Sequence, residues 1–190
     1  MSNLHIYSLP NLDYYTDDFV LRRKSRILDK AELDKPWFKQ LVMDMLETLY
    51  ADSSGVGLAA PQVGMSIRLV VIDVHKDAKK PFVLVNPTYV PLDDELVPSF
   101  ETCLSIPLRS GEVKRFKKVL VKALDINGKE IELVGEKFLS NVYQHEIDHL
   151  DGILYIDKMD NLECLVSNFG YAASMAEKAF GTFKTETNKI

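Results

Sequence analysis

Residues 138–152 read FLSNVYQHEIDHLDG, and the way this stretch folds governs how the rest of the chain is read. The spacing predicts a helix over 136–151, with Phe138, Val142, His145 and His149 sharing one face and Leu139, Tyr143 and Leu150 another. Gly152 stands where a left-handed residue ends such a helix. Residues four apart lie one turn apart on the same face, so the imidazoles of His145 and His149 can converge on one ion. Glu146, rotated by about 100° from His145, then reaches a water on that ion rather than the ion itself. The plainer alternative is a helix whose histidines are partly exposed and whose Glu146 and Asp148 face solvent. Phe138 and Val142 place the imidazoles on the buried side, and buried imidazoles need partners.

The chain has 190 residues, of which 46% are hydrophobic and 27% charged, with a net charge of −5. That length suits one domain, 1–190, rather than two. The acidic balance speaks against a nucleic-acid surface or a polybasic membrane anchor. The basic runs at 22–24 and 114–118 are short and offset by acids elsewhere, so they read as solvated faces. No window reaches the ~20 apolar residues of a membrane helix, and the start, MSNLHIYSLPNLDYY, lacks the pattern of a secretory signal. Two cysteines, Cys103 and Cys164, are too few for a disulfide framework. The expectation is a cytoplasmic protein with reduced thiols and neither membrane nor nucleic acid as partner.

Residues 36–50, PWFKQLVMDMLETLY, predict an amphipathic helix with Asp34 as N-cap, Pro36 in the first turn, and Leu41, Val42, Met45, Leu46 and Leu49 as its apolar stripe. IRLVVIDV (67–74) and PFVLVNPTYV (81–90) read as strands, and VLVKALDINGKEIELV (119–134) as a hairpin turning at Asn127-Gly128. A further helix is expected from about Asn161 to Phe180, with Leu165, Val166, Phe169 and Ala173 inward. Strands and helices do not alternate strictly, which predicts an α+β fold.

A catalytic metal site takes three protein ligands, and HExxH supplies two. Tyr155 stands six residues after His149, where a third histidine would serve. Glu163, Glu177, Cys164 and Cys103 remain open as the third ligand. Cys164, between Leu162 and Leu165, reads as a small core residue. Cys103 lies in FETCLSIPLRSG (100–111), at a strand end or loop, and packing and chemistry are equal readings of it. The glycines and alanines of GVGLAAPQVG (55–64) would let a backbone approach a ligand, and Gln62 offers an amide donor. The stretch is neither a P-loop nor a dinucleotide fingerprint. Taken alone, it reads more simply as a tight turn before a strand.

Together, GVGLAAPQ (55–62), ETCLS (101–105) and QHEIDHL (144–150) resemble the peptide deformylases. These metallohydrolases remove the formyl group from nascent N-formylmethionyl peptides. The family carries G-x-G-L-A-A-x-Q, E-G-C-L-S and Q-H-E-x-D-H-L in this order, and the similarity extends over roughly residues 5–160. It implies antiparallel or mixed β-sheets packed around a central HExxH metal-binding helix, with an amphipathic helix in the N-terminal half and a helix at the C-terminus. It implies Cys103, His145 and His149 as ligands of one divalent metal ion, Fe(II) in the cell with zinc, nickel or cobalt tolerated.

By the same resemblance Glu146 transfers protons, while the Gln62 amide and the Leu104 N–H bind the oxyanion. Gly57 lies along the peptide backbone, Val56 and Val142 line a methionine pocket, and Glu101 and Arg115 brace the Cys103 loop. The implied partners are nascent N-formylmethionyl peptides and the ribosome near its exit tunnel. Two positions depart from the family. Thr102 replaces a glycine, where a β-branched residue resists φ > 0 and adds bulk beside the peptide track. Ser110 stands where many members have arginine, with Arg109 one place earlier. These two departures are the only support for a second reading, a metal-retaining relative that binds peptide or ribosome without turnover. Glu146 and Gln62 stand against it. A third reading, a HExxH peptidase, fails if Cys103 is a ligand. His5 and His75 carry no assignment.

Overall fold

The helix over 36–50 forms as the apolar spacing requires. The computed structural model describes residues 3–8, 20–75, 80–162 and 165–167, and in it α1 spans Pro36–Ala51. Its N-cap is Lys35 rather than Asp34. Pro36 occupies the first helical position, where a missing N–H costs nothing. The buried side is Phe38, Val42, Met45, Thr48 and Leu49, with Leu41 and Leu46 packed at its margin.

The strands follow in chain order as β1 (Gly57–Ala59), β2 (Leu69–Ile72), β3 (Phe82–Pro91), β4 (Leu96–Cys103), β5 (Ile106–Phe116), β6 (Lys118–Leu124), β7 (Glu130–Glu136) and β8 (Val166–Ser167). They make two antiparallel sheets, of order β1-β2-β3-β6-β7 and β4-β5-β8. β6 and β7 form the expected hairpin. Gly128 turns at φ +78°, and the Asp125 carboxylate accepts the N–H groups of Asn127 and Lys129. The long β4–β5 hairpin has no strand signature in the sequence, because its inward positions include Ser99, Glu101 and Cys103 in place of a hydrophobic alternation.

The helix expected from Asn161 does not form over 165–167. There the chain adds β8 to the edge of β5, Ser110 opposite Val166 and Arg109 opposite Ser167. Pairing with an open strand edge satisfies backbone groups that helical periodicity cannot register. The remainder of that expected helix lies outside the described residues.

α2 spans Phe138–Leu150 and touches β1, β2, β3, β6 and β7 of one sheet and β5 of the other. Phe138 departs from expectation: it is 60% exposed, because it opens the helix directly after the turn from β7. From Val142 to Leu150 every residue but His145 is buried, Glu146 and Asp148 included, so the solvent-facing alternative falls. Among the described residues no helix is long and apolar enough to cross a membrane.

α2 ends as Gly152 demands. Its N–H donates to the His149 carbonyl at 3.2 Å, and the Ile153 N–H to the Asp148 carbonyl at 3.0 Å, the paired bonds of a Schellman cap. Gly152 sits at φ +75°, and a Cβ there would stand 2.5 Å from the Arg22 carbonyl oxygen. Gly152→Ala therefore meets both a left-handed backbone and a backbone clash. It should lower the unfolding free energy by at least about 1–2 kcal/mol, read as a lower urea midpoint with an unchanged slope.

Candidate metal centre

β4 ends at Cys103, and α2 brings His145 and His149 to it. The ligand atoms of the three side chains all lie within 4.8 Å of one another, with Cys103 Sγ 3.3 Å from His149 Nε2. Metal–sulfur bonds of about 2.3 Å and metal–nitrogen bonds of about 2.0–2.1 Å in tetrahedral sites set such atoms roughly 3.5 Å apart. The Cys103–His149 separation is close to that value, and the three donors converge closely enough to share one ion. Glu163, Cys164 and Glu177, the other candidates for a third ligand, lie outside the described residues.

Cys103 is aimed by the shape of its hairpin. Thr102 pairs with Ser110 but Cys103 with Ile106, so Pro107, Leu108 and Arg109 bulge from β5, and Leu108 takes φ +62°. A bulge of this kind bends the strand and re-aims the side chains beside it.

His145 is held by a chain of buried charges. Its Nδ1 lies 2.8 Å from Glu101 Oε2. Arg115 grips Glu101 with two bonds of 2.8 Å and donates a third to Asp148, which also meets Lys158 at 3.1 Å. Burial alone would raise the Glu101 carboxyl, but the hydrogen bonds from Arg115 and His145 outweigh it and hold the group at about 2. An ionised Glu101 makes Nδ1 of His145 the donor, so Nε2 is the nitrogen that would lose its proton to take an ion. Burial opposes protonation of His145 as well, yet its bonds to Cys103 and Glu101 prevail and raise it well above the ordinary range. His149 is pushed the other way, by burial first and then by His145 and Arg115, toward the neutral form that ligates.

Glu146 is 5% exposed, and its Oε2 has no hydrogen-bond partner among the described residues. Burial raises its carboxyl to about 7, in the range where a group both takes and returns a proton near neutrality. Gly57, which the family resemblance sets along the peptide track, also leaves space for Glu146: a Cβ there would lie 2.5 Å from Glu146 Oε1. Gln62 sits in the 3-10 turn Ala60–Val63. The Ala59 N–H donates to its Oε1 at 2.8 Å, which turns its NH2 toward Cys103 Sγ, 3.6 Å away, and Ser105 Oγ, 3.3 Å away.

Leu104 occupies the turn after β4, packed against the α1 core, and Val56 packs with Val142 against the α2 core. Thr102 lies in extended strand, its φ not positive, so the backbone objection to a β-branched residue disappears. Its side chain is exposed, on the strand face opposite Glu101 and Cys103, while Ser110 across the ladder is buried and Arg109 exposed.

Three buried polar residues that support the site were not singled out in the sequence: Ser105, Gln144 and Asp148. Gln144 accepts the Phe116 N–H at 3.1 Å and donates to its carbonyl at 2.9 Å, standing in for a strand partner. All three are fixed positions of the motifs quoted above, Ser105 in E-G-C-L-S and Gln144 and Asp148 in Q-H-E-x-D-H-L, but the residues alone gave them no role.

The family model for polypeptide deformylase matches residues 11–164. The chain belongs to this family. A peptide deformylase of Symbiobacterium thermophilum is 46% identical over 160 residues, 84% of this chain and 71% of that protein. One from Lachnoclostridium phytofermentans is 45% identical over 143 residues, 75% of this chain and 85% of that one. The crystal structure of a peptide deformylase from Legionella pneumophila matches with a TM-score of 0.75 at 37% identity, covering 94% of this chain and 95% of its own. Peptide deformylases are metalloenzymes, and in this member Cys103, His145 and His149 form a group able to bind a metal.

The Glu146 shift has a sign that can be measured. A carboxyl raised from 4.5 to about 7 in the folded state makes that state bind more protons than the unfolded chain between those values. Stability from this group is therefore lost as pH rises through the window. In metal-stripped protein the loss should approach about 3 kcal/mol between pH 4.5 and 7.5. Urea denaturation at the two pH values should show Glu146→Gln escaping that loss.

Proposed function

We propose that this chain removes the N-formyl group from formylmethionyl peptides by hydrolysis, as a single-domain peptide deformylase over residues 1–190 acting in the cytoplasm. The observation that carries the reading is Glu146, a buried carboxyl with a raised pKa and an oxygen unpartnered among the described residues, on the same helix as two of three converging side chains able to bind a metal. In this reading the sheets are arranged around α2 as a central metal-binding helix. Cys103, His145 and His149 hold one divalent ion, Fe(II) in the cell, with zinc, nickel or cobalt accepted by the same thiolate and imidazoles. Bound there, such an ion would supply Lewis acidity toward water and toward the formyl oxygen.

The remaining work falls to the chain's own residues. Glu146 takes a proton from the attacking water as oxygen bonds to the formyl carbon. The Gln62 Nε2 and the Leu104 N–H donate to the oxyanion that develops, each such donor contributing about 10²–10³ in rate. As the carbon–nitrogen bond breaks, Glu146 returns its proton to the leaving amine. Formate and a free N-terminus result. Val56 and Val142 line the pocket for the methionine side chain, and Gly57 and Thr102 flank the peptide backbone. The substrates are nascent formylmethionyl peptides, met at the ribosome near its exit tunnel.

A relative that binds without turnover found its support in Thr102 and Ser110, and the unstrained strand at Thr102 weakens it. The peptidase reading needs a ligand other than Cys103, which lies within reach of both histidines.

The test is formate release from formyl-Met-Ala-Ser by anaerobically purified protein loaded with Fe(II) or Ni(II). Glu146→Ala should lose about 10²–10⁴ in kcat at unchanged metal content. Folded, loaded wild type that releases no formate would overturn the reading.

A further inference from the structure

Residues 3–8 take no part in the proposed chemistry, yet they bridge two elements that support it. At one end the Leu4 N–H donates at 2.9 Å to the hydroxyl of Thr48, and that hydroxyl donates at 2.7 Å to the Asp44 carbonyl. Thr48 is the polar member of the buried side of α1, and the Leu4 side chain packs against the same core. At the other end the Tyr7 N–H donates at 2.7 Å to the backbone carbonyl of Gln62. The Tyr7 ring closes over Gly64, the left-handed residue that ends the 60–63 turn. A Cβ at Gly64 would stand 2.8 Å from that ring. His5 meets Tyr7 edge to face at 5.3 Å.

Gln62 is thus held at two points. Its side-chain oxygen accepts the Ala59 N–H, and its main-chain oxygen accepts the Tyr7 N–H. A four-residue 3-10 turn has poor hydrogen-bond geometry and little cohesion of its own. An external donor on the carbonyl of Gln62 restrains the peptide plane, and with it the direction in which the Cα–Cβ bond sends the amide.

We propose that residues 3–8 form a positioning strap, in which Tyr7 fixes the backbone of Gln62 so that its side-chain amide stays aimed at the Cys103 corner of the site. The proposal rests on Gln62 serving as an oxyanion donor. Complete loss of such a donor costs about 10²–10³, so a loosened one should cost less, roughly tenfold in kcat. KM should move little, because the strap bears on Thr48, the Gln62 carbonyl and Gly64, none of them assigned to the methionine pocket.

The experiment uses full-length, metal-loaded protein well below its unfolding temperature. Tyr7→Pro deletes the N–H donor. Thr48→Val, which removes the acceptor for Leu4, serves if Tyr7→Pro does not fold. Values of kcat and KM are measured for each in the presence of Gln62 and in a Gln62→Ala background. The expected result is a roughly tenfold fall in kcat at constant KM when Gln62 is present, and less than about twofold further loss when it is absent, since residues acting through one another are not additive. Hydrogen exchange of the Ala59 amide, whose acceptor is Gln62 Oε1, should quicken in Tyr7→Pro. An equal fall in both backgrounds would reduce the strap to general stabilisation and overturn the proposal, as would an unchanged kcat. If Gln62→Ala alone leaves kcat intact, the oxyanion role of Gln62 fails first, a result that involves no change at Tyr7.

Discussion

The Arg115 guanidinium, buried between Glu101 and Asp148, is the contact on which the rest of this structure depends. It reaches from β5 to a carboxylate on β4 and to another on α2, so one side chain ties the smaller sheet to the helix. Burying these charges would cost several kcal/mol each if any stood alone. The two carboxylates offset one another's demand through Arg115, and Lys158 adds a second cation at Asp148. The same arrangement determines the tautomer of His145, because the Glu101 oxygen that faces the ring accepts its Nδ1 proton. Packing of the hairpin and orientation of a side chain in the candidate metal group are thus one interaction seen from two sides.

α2 extends that logic along its length. A helix buried nearly all round would ordinarily be apolar all round. This one carries Gln144, His145, Glu146, Asp148 and His149, and most of its polar atoms are matched: Gln144 to Phe116, His145 to Glu101, Asp148 to Arg115. Among the described residues Asn141 Oδ1, Glu146 Oε2 and His149 Nδ1 are the exceptions. Buried polar atoms without partners are uncommon in folded proteins. Two of the three fall within HExxH, on the side chains of Glu146 and His149. Gly57 contributes by absence, since a Cβ there would displace the Glu146 side chain from its present position.

Much of the site could be read along the chain, but unevenly. The pair His145 and His149, with Glu146 between them, is a local pattern on a single helix, and helix spacing alone brings the imidazoles together. The third corner is not local. Cys103 lies 46 residues before His149, and residue types alone left it level with ordinary packing beside glutamates further on. Resemblance to a family pointed to it, and the β4–β5 hairpin shows how it arrives. The strap of residues 3–8 had no signal at all, since its bonds to Gln62 and Thr48 use mainly backbone groups common to every residue.

By itself the sequence determined what is written in short range: the span of α1, the end of α2 at Gly152, the Asn127-Gly128 turn and the existence of two strands, read over 67–74 and 81–90 and formed over 69–72 and 82–91. Each follows from periodicity or from the φ preferences of a few adjacent residues. Tertiary structure alone decided the rest. It made strands of 96–103 and 106–116, whose inward Ser99, Glu101 and Cys103 are tolerated because Asn141, Arg115 and the histidines meet them. It drew 166–167 onto the edge of β5 where helical spacing had pointed elsewhere, and it left Phe138 in solvent. Such outcomes depend on partners distant in the chain, and a pattern read along one segment contains no term for what that segment will meet.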